Sequence, residues 1–259
     1  MSYTISAVDR ALQLLEALAD SPESGISELA ERTGFTKSLI FRLLYTLEER
    51  GFVSKDPVRR TYSLSWQAVL LGAKARRQSR LISAATPHMV ALQNATECNV
   101  LVQVRDDLHS VTVAMLHTRA SHSVFGDVGR QGPLHAGAGP KILLAYAPEA
   151  IRTRVLASAL PRYTENTVID PERLNESLDI IRRDGWVITE GELDHSTCSV
   201  AVPLFNGAGE AIATMAVNGP VALLPPEKRG AVLDALRDAA RQIAGLIGNY
   251  GSPPERDEI

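Results

Sequence analysis

Apolar residues recur at helical spacing near the start of the chain and predict three successive helices. The first covers residues 5–20, and its predicted inner face consists of Val8, Leu12, Leu15 and Leu18. Ser27 is the predicted N-cap of a short second helix that ends at Gly34. Thr36 is the predicted N-cap of the third helix, which ends at Gly51. A short turn joins the second and third helices, as is typical of a helix-turn-helix.

The residues after Gly51 alternate between apolar and polar side chains and predict a β-hairpin. Two short strands, with the sequences FVSK and TYSLS, flank the turn sequence DPVRR. A hairpin behind a helix-turn-helix is typical of a winged helix-turn-helix, in which the second helix of the motif enters the major groove of DNA and the hairpin contacts the backbone. The sequence therefore predicts a DNA-binding domain over residues 1–65.

The remaining chain alternates predicted strands and helices and favours an α+β fold with a central, mostly antiparallel sheet. A basic helix over residues 66–83 is the predicted linker. A second domain follows over residues 84–250, and Thr86 and Pro87 are the predicted N-cap and first position of its first helix. The tail at residues 251–259 is rich in proline and charge and is expected to be disordered.

Composition narrows the function classes. The 259 residues are 45% hydrophobic and carry a formal net charge of −3, so the core is of ordinary size and any nucleic-acid site is a local patch. Two cysteines are too few for a disulfide framework or a structural zinc site, and no cofactor is expected. The N-terminus lacks a signal-peptide pattern, and no apolar run reaches the length of a membrane span. We therefore expect a cytoplasmic protein, associated with the nucleoid through DNA, without a membrane partner.

The outer face of the third helix is unusual because it carries cations and large aromatic side chains. Residues 35–60 contain six cations and three anions, a local positive excess in an acidic chain. Lys37 and Ser38 lie in the first turn, where a helix N-terminus favours phosphate, and Arg42 can reach a phosphate or a guanine edge. The predicted DNA-binding residues are Thr36, Lys37, Ser38, Phe41, Arg42, Tyr45, Lys55, Arg59 and Arg60. The alternatives are an ordinary solvated helix face and a winged helix that binds protein.

An ordered set of motifs spans nearly the whole chain. Its parts are ISAVDRALQLLEAL, ISELAERTGFTKSLIFRLLYTLEERGFV, YSLS, GPLHAGAGPKILLAYAP, GWVITEGELDHSTCSVAVPLF and AVNGP. In this order the motifs resemble the isocitrate lyase regulator (IclR) family of transcription factors. The resemblance implies an N-terminal winged helix-turn-helix, a linker helix and a C-terminal effector-binding domain related to GAF domains. It also implies dimers or tetramers on palindromic operators, and control of a catabolic operon by a small organic acid, as a repressor or an activator.

The sequence LHAGAGPKILLA is a candidate anion site in its own right. Small residues at 136–139 allow a ligand to approach the backbone closely, and Pro140 fits the first position of the helix that follows. The free N–H groups and the partial positive charge of that helix N-terminus favour a carboxylate. A plain helix-capping loop is the alternative.

The family resemblance extends this loop into a pocket, in which the amides of Ala138 and Gly139 hold an effector carboxylate. The implied effector-binding residues are His135, Ala138, Gly139, Thr189, Cys198, Ala216 and Asn218. Thr189 and Ala216 depart from the acidic and polar residues of the family, and Pro140 lacks a donor that relatives often retain. These departures favour a larger or more apolar ligand, such as an aromatic acid, over glyoxylate or pyruvate.

Two chemical alternatives have less support from the residues. Asp194, His195 and Cys198 lie close in sequence, as they would in a cysteine enzyme. A nucleophile needs its base within about 3 Å, and alternation along a strand turns His195 and Cys198 to opposite faces. The six histidines lack the paired spacing of a metal site. The sequence therefore predicts neither catalytic residues nor a metal site.

Overall fold

The computed structural model describes residues 3–118 and 127–248, so the tail predicted to be disordered at 251–259 lies outside the described residues. The chain forms two compact units, which divide after Gln78. The elements of the first unit are α1 (Ser6–Asp20), α2 (Ile26–Thr33), α3 (Lys37–Glu49), β1 (Val53–Asp56), β2 (Thr61–Leu64) and α4 (Trp66–Gln78).

The first unit is a winged helix-turn-helix, as predicted. Gly34 ends α2 in the left-handed region at φ +70°, and β1 pairs with β2 in an antiparallel hairpin. The prediction of Ser27 as the N-cap of α2 is wrong. The helix begins earlier, at Ile26, which packs against the core, and its N-cap is Gly25. The core consists of Leu14, Leu18, Leu29, Ile40, Leu44, Leu47, Val53 and Tyr62.

The inner face of α1 differs from the prediction. Leu14 and Leu18 are fully buried, whereas Val8 and Leu12 are each 54% exposed. Both pairs have the same i, i+4 spacing, so apolar periodicity alone could not separate them. The buried stripe of α1 is rotated towards Leu14, and Val8 and Leu12 are left as apolar side chains on the surface of this chain.

The second unit is built on a six-stranded sheet. Its elements are α5 (Arg80–Thr96), β3 (Asn99–Asp106), β4 (His109–Leu116), β5 (Gln131–Pro133), α6 (Ala138–Ala145), α7 (Glu149–Ala157), α8 (Pro171–Asp184), β6 (Val187–Glu190), β7 (Thr197–Phe205), β8 (Ala211–Pro220) and α9 (Pro226–Ile247). The strand order is β5-β4-β3-β8-β7-β6, and each neighbouring pair of these strands is antiparallel. This confirms the predicted α+β fold with an antiparallel sheet.

Helices cover both faces of the sheet. On one face α5 and α9 pack against a cluster that includes Cys198, Val200 and Val202. On the other face α6 and α8 pack against a cluster that includes Ala201 and Ala216. Successive residues of β7 point to opposite faces, and this alternation decides which side chains can reach the candidate effector site.

The predicted helix start at Pro87 is wrong. Ser79 is the N-cap of α5, where its hydroxyl accepts the N–H of Ile82 at 3.3 Å, and Pro87 lies inside the helix. The helix continues through Pro87 because one face of it is buried against the sheet through Leu81, Ala85, Met89 and Leu92. In the described parts of the chain, each helix is too short or too polar to cross a membrane.

Candidate functional site

The outer face of α3 is held towards solvent by the packing of its inner face. Thr36 is the N-cap, since its hydroxyl accepts the N–H of Leu39 at 3.4 Å, so α3 begins at Lys37 as predicted. Ile40, Leu44 and Leu47 are buried in the core of the unit. On the opposite side Phe41 is 53% exposed and Tyr45 is 60% exposed. Core packing therefore leaves more than half of each of these two aromatic residues exposed to solvent.

The hairpin turn presents its cations on the surface. The side chain of Asp56 accepts the N–H groups of Val58 at 2.8 Å and Arg59 at 3.0 Å, which fixes the turn. Arg59 donates to Glu23 at 2.8 Å, but both side chains are 64% exposed. An exposed ion pair contributes only about 0–1 kcal/mol, so Arg59 can exchange Glu23 for a phosphate at low cost.

The structure places all of the predicted DNA-binding residues on the solvent-exposed surface of the first unit. All of them are solvent-exposed, and they lie on α3, at its N-cap and on the hairpin: Thr36, Lys37, Ser38, Phe41, Arg42, Tyr45, Lys55, Arg59 and Arg60. Exposure is necessary for contact with DNA. Their assignment to DNA contacts stays a prediction.

A cavity of about 60 Å³ lies in the second unit, between the N-terminus of α6 and the sheet. Ala138 and Gly139 are the first two residues of α6, so Pro140 occupies the third position rather than the predicted first. Within the described residues, the buried N–H groups of Ala138 and Gly139 have no hydrogen-bond acceptor. Two unpaired donors and the positive end of α6 therefore face the cavity.

A buried ion pair fixes the start of α6. The Glu192 carboxylate accepts the Gly137 N–H at 2.9 Å through one oxygen and contacts Lys141 Nζ through the other. Lys141 is 2% exposed and Glu192 is 9% exposed. Thr167 donates its hydroxyl proton to the Glu192 carbonyl at 2.7 Å, which anchors the segment that carries the carboxylate. Glu192 thus caps one N–H of the loop and leaves those of Ala138 and Gly139 unused.

Gly139 allows the backbone of α6 to approach the sheet closely. A Cβ atom at this position would lie 2.2 Å from Gln103 Oε1 and 3.2 Å from Thr214 Cγ2. Gln103 donates to the Thr112 hydroxyl at 3.4 Å and is 7% exposed. The glycine therefore makes room for an amide side chain that lines the cavity.

The floor of the cavity is a polar row across the sheet. Thr189 on β6 lies opposite Ser199 on β7, which lies opposite Asn218 on β8. All three line the cavity, and Thr189 is 7% exposed. Asp194 also lines the cavity, and hydrogen bonds from Ser196 hold the pKa of its carboxyl below the usual range.

The structure unites some of the predicted effector-binding residues and separates others. Those that line the cavity are Ala138, Gly139, Thr189 and Asn218. Ala216 is buried in the apolar cluster on the same face of the sheet. Cys198 is fully buried on the opposite face, because β7 turns Ser199 to the cavity instead. Sequence reasoning missed Gln103, Glu192 and Ser199, and strand alternation is the signal that could have found Ser199.

His135 lies outside this cavity. Its Nε2 is 2.9 Å from the Pro161 carbonyl oxygen, and its ring stacks on Tyr163 with centroids 6.0 Å apart. Desolvation by burial lowers the pKa of His135, so the ring is neutral near pH 7 and donates its Nε2–H to Pro161. Through these contacts His135 helps to hold the loop before α6 in place.

The geometry disfavours the two chemical alternatives. His195 is exposed and contacts Glu165, whereas Cys198 is fully buried, and burial raises the pKa of its thiol. A buried thiol with a raised pKa is a poor nucleophile. Among the described residues, no group of three or more His, Cys, Asp or Glu side chains is arranged to hold a metal ion.

The two units together define a class of protein. A winged helix-turn-helix with an exposed, partly cationic α3 is joined in one chain to a separate unit with a cavity lined by polar side chains and by the N-terminus of α6. This combination defines a ligand-responsive DNA-binding regulator.

Comparison with known proteins identifies the family. Residues 7–57 match the IclR helix-turn-helix domain, and residues 73–245 match the C-terminal domain of the bacterial transcriptional regulator IclR. The chain belongs to the IclR family of DNA-binding transcriptional regulators, which carry a C-terminal effector-binding domain.

Individual relatives agree with this assignment. The HTH-type transcriptional regulator KdgR of Dickeya chrysanthemi is 28% identical over 251 residues, which cover 96% of this chain and 82% of that protein. The crystal structure of an IclR regulator from Alicyclobacillus acidocaldarius superposes with a TM-score of 0.85 at 28% identity, over 95% of this chain and 100% of that one. An IclR homologue from Microbacterium hydrocarbonoxydans, complexed with 4-hydroxybenzoate, has a TM-score of 0.80 at 25% identity, over 93% of this chain and 98% of that one.

Proposed function

We propose that this regulator binds a palindromic operator as a homodimer and that a small organic acid, held at the N-terminus of α6, changes its operator affinity. The ligand site is supported by the N–H groups of Ala138 and Gly139, which are buried and, within the described residues, unpaired at the edge of the cavity. The regulator acts in the cytoplasm, associated with the nucleoid through its operator. It controls a catabolic operon, and the acid is a substrate or a product of the encoded pathway.

The DNA contacts follow from the exposed face of the first unit. α3 enters the major groove, where Arg42 binds a guanine edge or a phosphate and Phe41 and Tyr45 pack on sugars or thymine methyl groups. Lys37 lies in the first turn of α3, where the helix N-terminus adds to its attraction for a phosphate. The hairpin cations contact the backbone and contribute to a salt-dependent affinity.

A dimer surface is supported by apolar side chains that the first unit does not bury. α4 has no buried residue, and the exposed large apolar side chains of α1 and α4 include Val8, Leu12, Trp66, Val69, Leu70 and Leu71. Apolar patches of this kind are typical of interfaces. A second copy of the same surface covers it and sets the spacing of the two α3 helices on a palindrome.

Replacing Leu12 with aspartate is expected to weaken self-association through the first unit. The side chain is 54% exposed in one chain, so the substitution spares the core and places a charge in the interface. Gln13→Asp, at a neighbouring exposed position, is the matched control. Sedimentation velocity measures the result, and equal assembly of Leu12→Asp and Gln13→Asp would contradict a role for α1 in the dimer.

The cavity favours a compact acid with polar substituents. Its volume of about 60 Å³ is well below the roughly 300–1,000 Å³ of a drug-sized pocket. The carboxylate points to Ala138 and Gly139 and away from the ionised Asp194, while hydroxyl or keto oxygens meet Ser199, Asn218 and the neighbouring polar side chains. An aromatic acid stays an alternative that requires the segment around Glu192 to move.

A thermal-shift screen of the full chain tests the ligand class. The panel contains glyoxylate, pyruvate, sugar acids, hydroxybenzoates and phenylacetates, each with the matching amide as a control for the carboxylate. A ligand at 100 times its dissociation constant adds about 2.7 kcal/mol to stability. A hit among the acids but not the amides is expected, and stabilisation by the amides alone would contradict a carboxylate site.

Replacing Gly139 with alanine is expected to abolish the response to the acid while operator binding is retained. The new Cβ displaces the Gln103 amide, which is the far end of a flexible side chain lining the cavity, and the main cost is its 3.4 Å hydrogen bond to the Thr112 hydroxyl. Gly139→Ala/Gln103→Ala, in which the obstructing amide is removed, is expected to recover part of the thermal shift. A full ligand response in Gly139→Ala would contradict this placement of the site.

The acid can change operator binding only if the dimer has two arrangements that bind the acid with different affinities. The acid shifts the equilibrium only by that difference in affinity. Coupling free energies of about 1–3 kcal/mol are usual and change operator affinity by roughly 5- to 150-fold.

A further inference from the structure

The cavity at the N-terminus of α6 combines donors for a carboxylate with a lining that is itself acidic. Glu192 and Asp194 line the cavity, and among the described residues no lysine, arginine or histidine side chain does. Sites for simple carboxylates commonly use arginine or lysine, which supply positive charge as well as hydrogen bonds. A ligand whose only charged group is a carboxylate would bring a further negative charge to a lining without a basic side chain.

Only one of the two carboxylates is neutralised within the chain. The ammonium of Lys141 contacts Glu192, and both residues are buried, so this pair carries no net charge. Asp194 accepts hydrogen bonds only from neutral groups, namely the N–H of Ser196 at 2.8 Å and its hydroxyl at 2.6 Å. These two donors hold the pKa of the Asp194 carboxyl below its usual range, so the group is ionised near pH 7.

The charge of Asp194 has no basic partner close at hand. Within the described residues it forms no salt bridge with a lysine or an arginine. His195, the next residue in the chain, places its Nδ1 3.3 Å from the Glu165 carboxylate. A positive group on the ligand is therefore the partner that the Asp194 carboxylate lacks.

The loop between β6 and β7 holds Asp194 at the cavity. The N–H and the hydroxyl of Thr197 donate to the Asp194 carbonyl oxygen at 3.1 Å and 3.0 Å. The Gly191 N–H donates to the Thr197 carbonyl oxygen at 2.8 Å and closes the loop. Because these backbone bonds fix the loop, the carboxylate is a built-in part of the cavity wall.

A buried amide adds a second acceptor to the lining. Gln103 is 7% exposed and lines the cavity. Its Nε2 donates to the Thr112 hydroxyl at 3.4 Å, and its carbonyl oxygen Oε1 is turned towards Gly139. An ammonium group donates three hydrogen bonds and accepts none, so carboxylate and amide oxygens such as these are suitable partners for it.

The remaining lining is apolar and limits the size of the ligand. Leu101, Met115 and Leu193 line the same cavity, whose volume is about 60 Å³. These side chains favour a short aliphatic group and leave little space for a ring. The ligand that meets all parts of the lining is small, carries a carboxylate and an ammonium, and has a short side chain.

We propose that the effector of this regulator is a small amino acid, bound as a zwitterion, with its carboxylate on the N–H groups of Ala138 and Gly139 and its ammonium on Asp194. This inference rests on the carboxylate site proposed above and adds the second charge of the ligand. A zwitterion brings no net charge into the cavity, and its ammonium compensates Asp194. A hydroxy acid of the same size lacks this compensation and binds more weakly.

Matched pairs of ligands test the inference on the full-length protein by isothermal titration calorimetry. The pairs are glycine and glycolate, L-alanine and L-lactate, and L-serine and L-glycerate, which differ only by an ammonium in place of a hydroxyl group. The best amino acid is expected to bind roughly 10- to 150-fold more tightly than its hydroxy acid, the range for a hydrogen bond to a charged group. Glycinamide and L-alaninamide, which lack the carboxylate, are expected not to bind.

Replacing Asp194 with asparagine is expected to remove the preference for the ammonium. Asparagine keeps an oxygen that accepts both hydrogen bonds from Ser196, so the loop is expected to persist, but it carries no charge. The amino acid is expected to bind roughly 10- to 150-fold more weakly, and the hydroxy acid at least as tightly as to the wild type. Glu165→Gln removes the same charge from an exposed carboxylate outside the cavity and is expected to change neither affinity.

The outcomes separate this inference from the carboxylate site on which it rests. Hydroxy acids that bind as tightly as the amino acids, or an unchanged preference in Asp194→Asn, would overturn the zwitterion and leave the carboxylate site standing. If neither class binds, or if the amides bind as tightly as the acids, the carboxylate site at α6 is wrong and the zwitterion falls with it.

Discussion

Replacing Lys141 with methionine is expected to lower the free energy of unfolding of the second unit by about 3–5 kcal/mol, because removing one partner of a buried pair leaves the other charge uncompensated. Glu192 is 9% exposed, and among the described residues its carboxylate keeps only the Gly137 N–H as a hydrogen-bond donor in this variant. Methionine has a similar length and fills the space of the lysine stem. The loss therefore reports the unpaired charge rather than a cavity.

The double variant Lys141→Met/Glu192→Gln is the matched control. Glutamine keeps an oxygen that accepts the Gly137 N–H but carries no charge, so the double variant is expected to be more stable than Lys141→Met. Trp186 lies in the second unit and Trp66 in the first, so tryptophan fluorescence in a Trp66→Phe background follows the second unit during urea unfolding. If Lys141→Met and the double variant lose equal stability, uncompensated charge is the wrong explanation.

Replacing Arg42 with alanine is expected to weaken operator binding by roughly 5- to 150-fold, because a lost arginine contact to a base edge costs about 1–3 kcal/mol. Arg42 is exposed on α3, so the fold is expected to persist. Fluorescence anisotropy with a duplex selected from a random pool by the wild-type protein measures the change. Arg32→Ala, an exposed cation on α2, is the control.

The salt dependence of the same titration identifies the atom that Arg42 contacts. Loss of a phosphate contact reduces the log–log slope by about 0.9, whereas loss of a base contact leaves the slope unchanged and relaxes specificity at one position. Wild-type affinity in Arg42→Ala would contradict the assignment of α3 as the recognition helix.

The fold of the first unit could be predicted from sequence because its elements have local signals. Thr36 and Gly34 mark the ends of helices through their own side-chain and backbone chemistry, and the hairpin has a turn fixed by Asp56. The sequence could not predict which face of α1 is buried, because Leu12 and Leu14 are both compatible with an apolar helix face. The packing of α1 against α2, α3 and β2 selects which leucine is buried.

The candidate effector site could be predicted in part. The small residues before α6 have a local signature, and the structure places Ala138 and Gly139 at the cavity. Cys198 was aligned to the site through the family resemblance, but the register of β7 turns it to the opposite face. The Glu192 contact to Lys141 joins residues 51 positions apart in sequence, and no local pattern signals such a pair.

An acid bound at the N-terminus of α6 is expected to change the affinity of α3 for operator DNA. The most direct test of this coupling is an anisotropy titration of the selected duplex with wild-type protein, with and without the acid that gives the largest thermal shift. We predict a change of roughly 5- to 150-fold in the dissociation constant, which Gly139→Ala abolishes. An acid that stabilises the protein but leaves operator affinity unchanged would contradict this coupling.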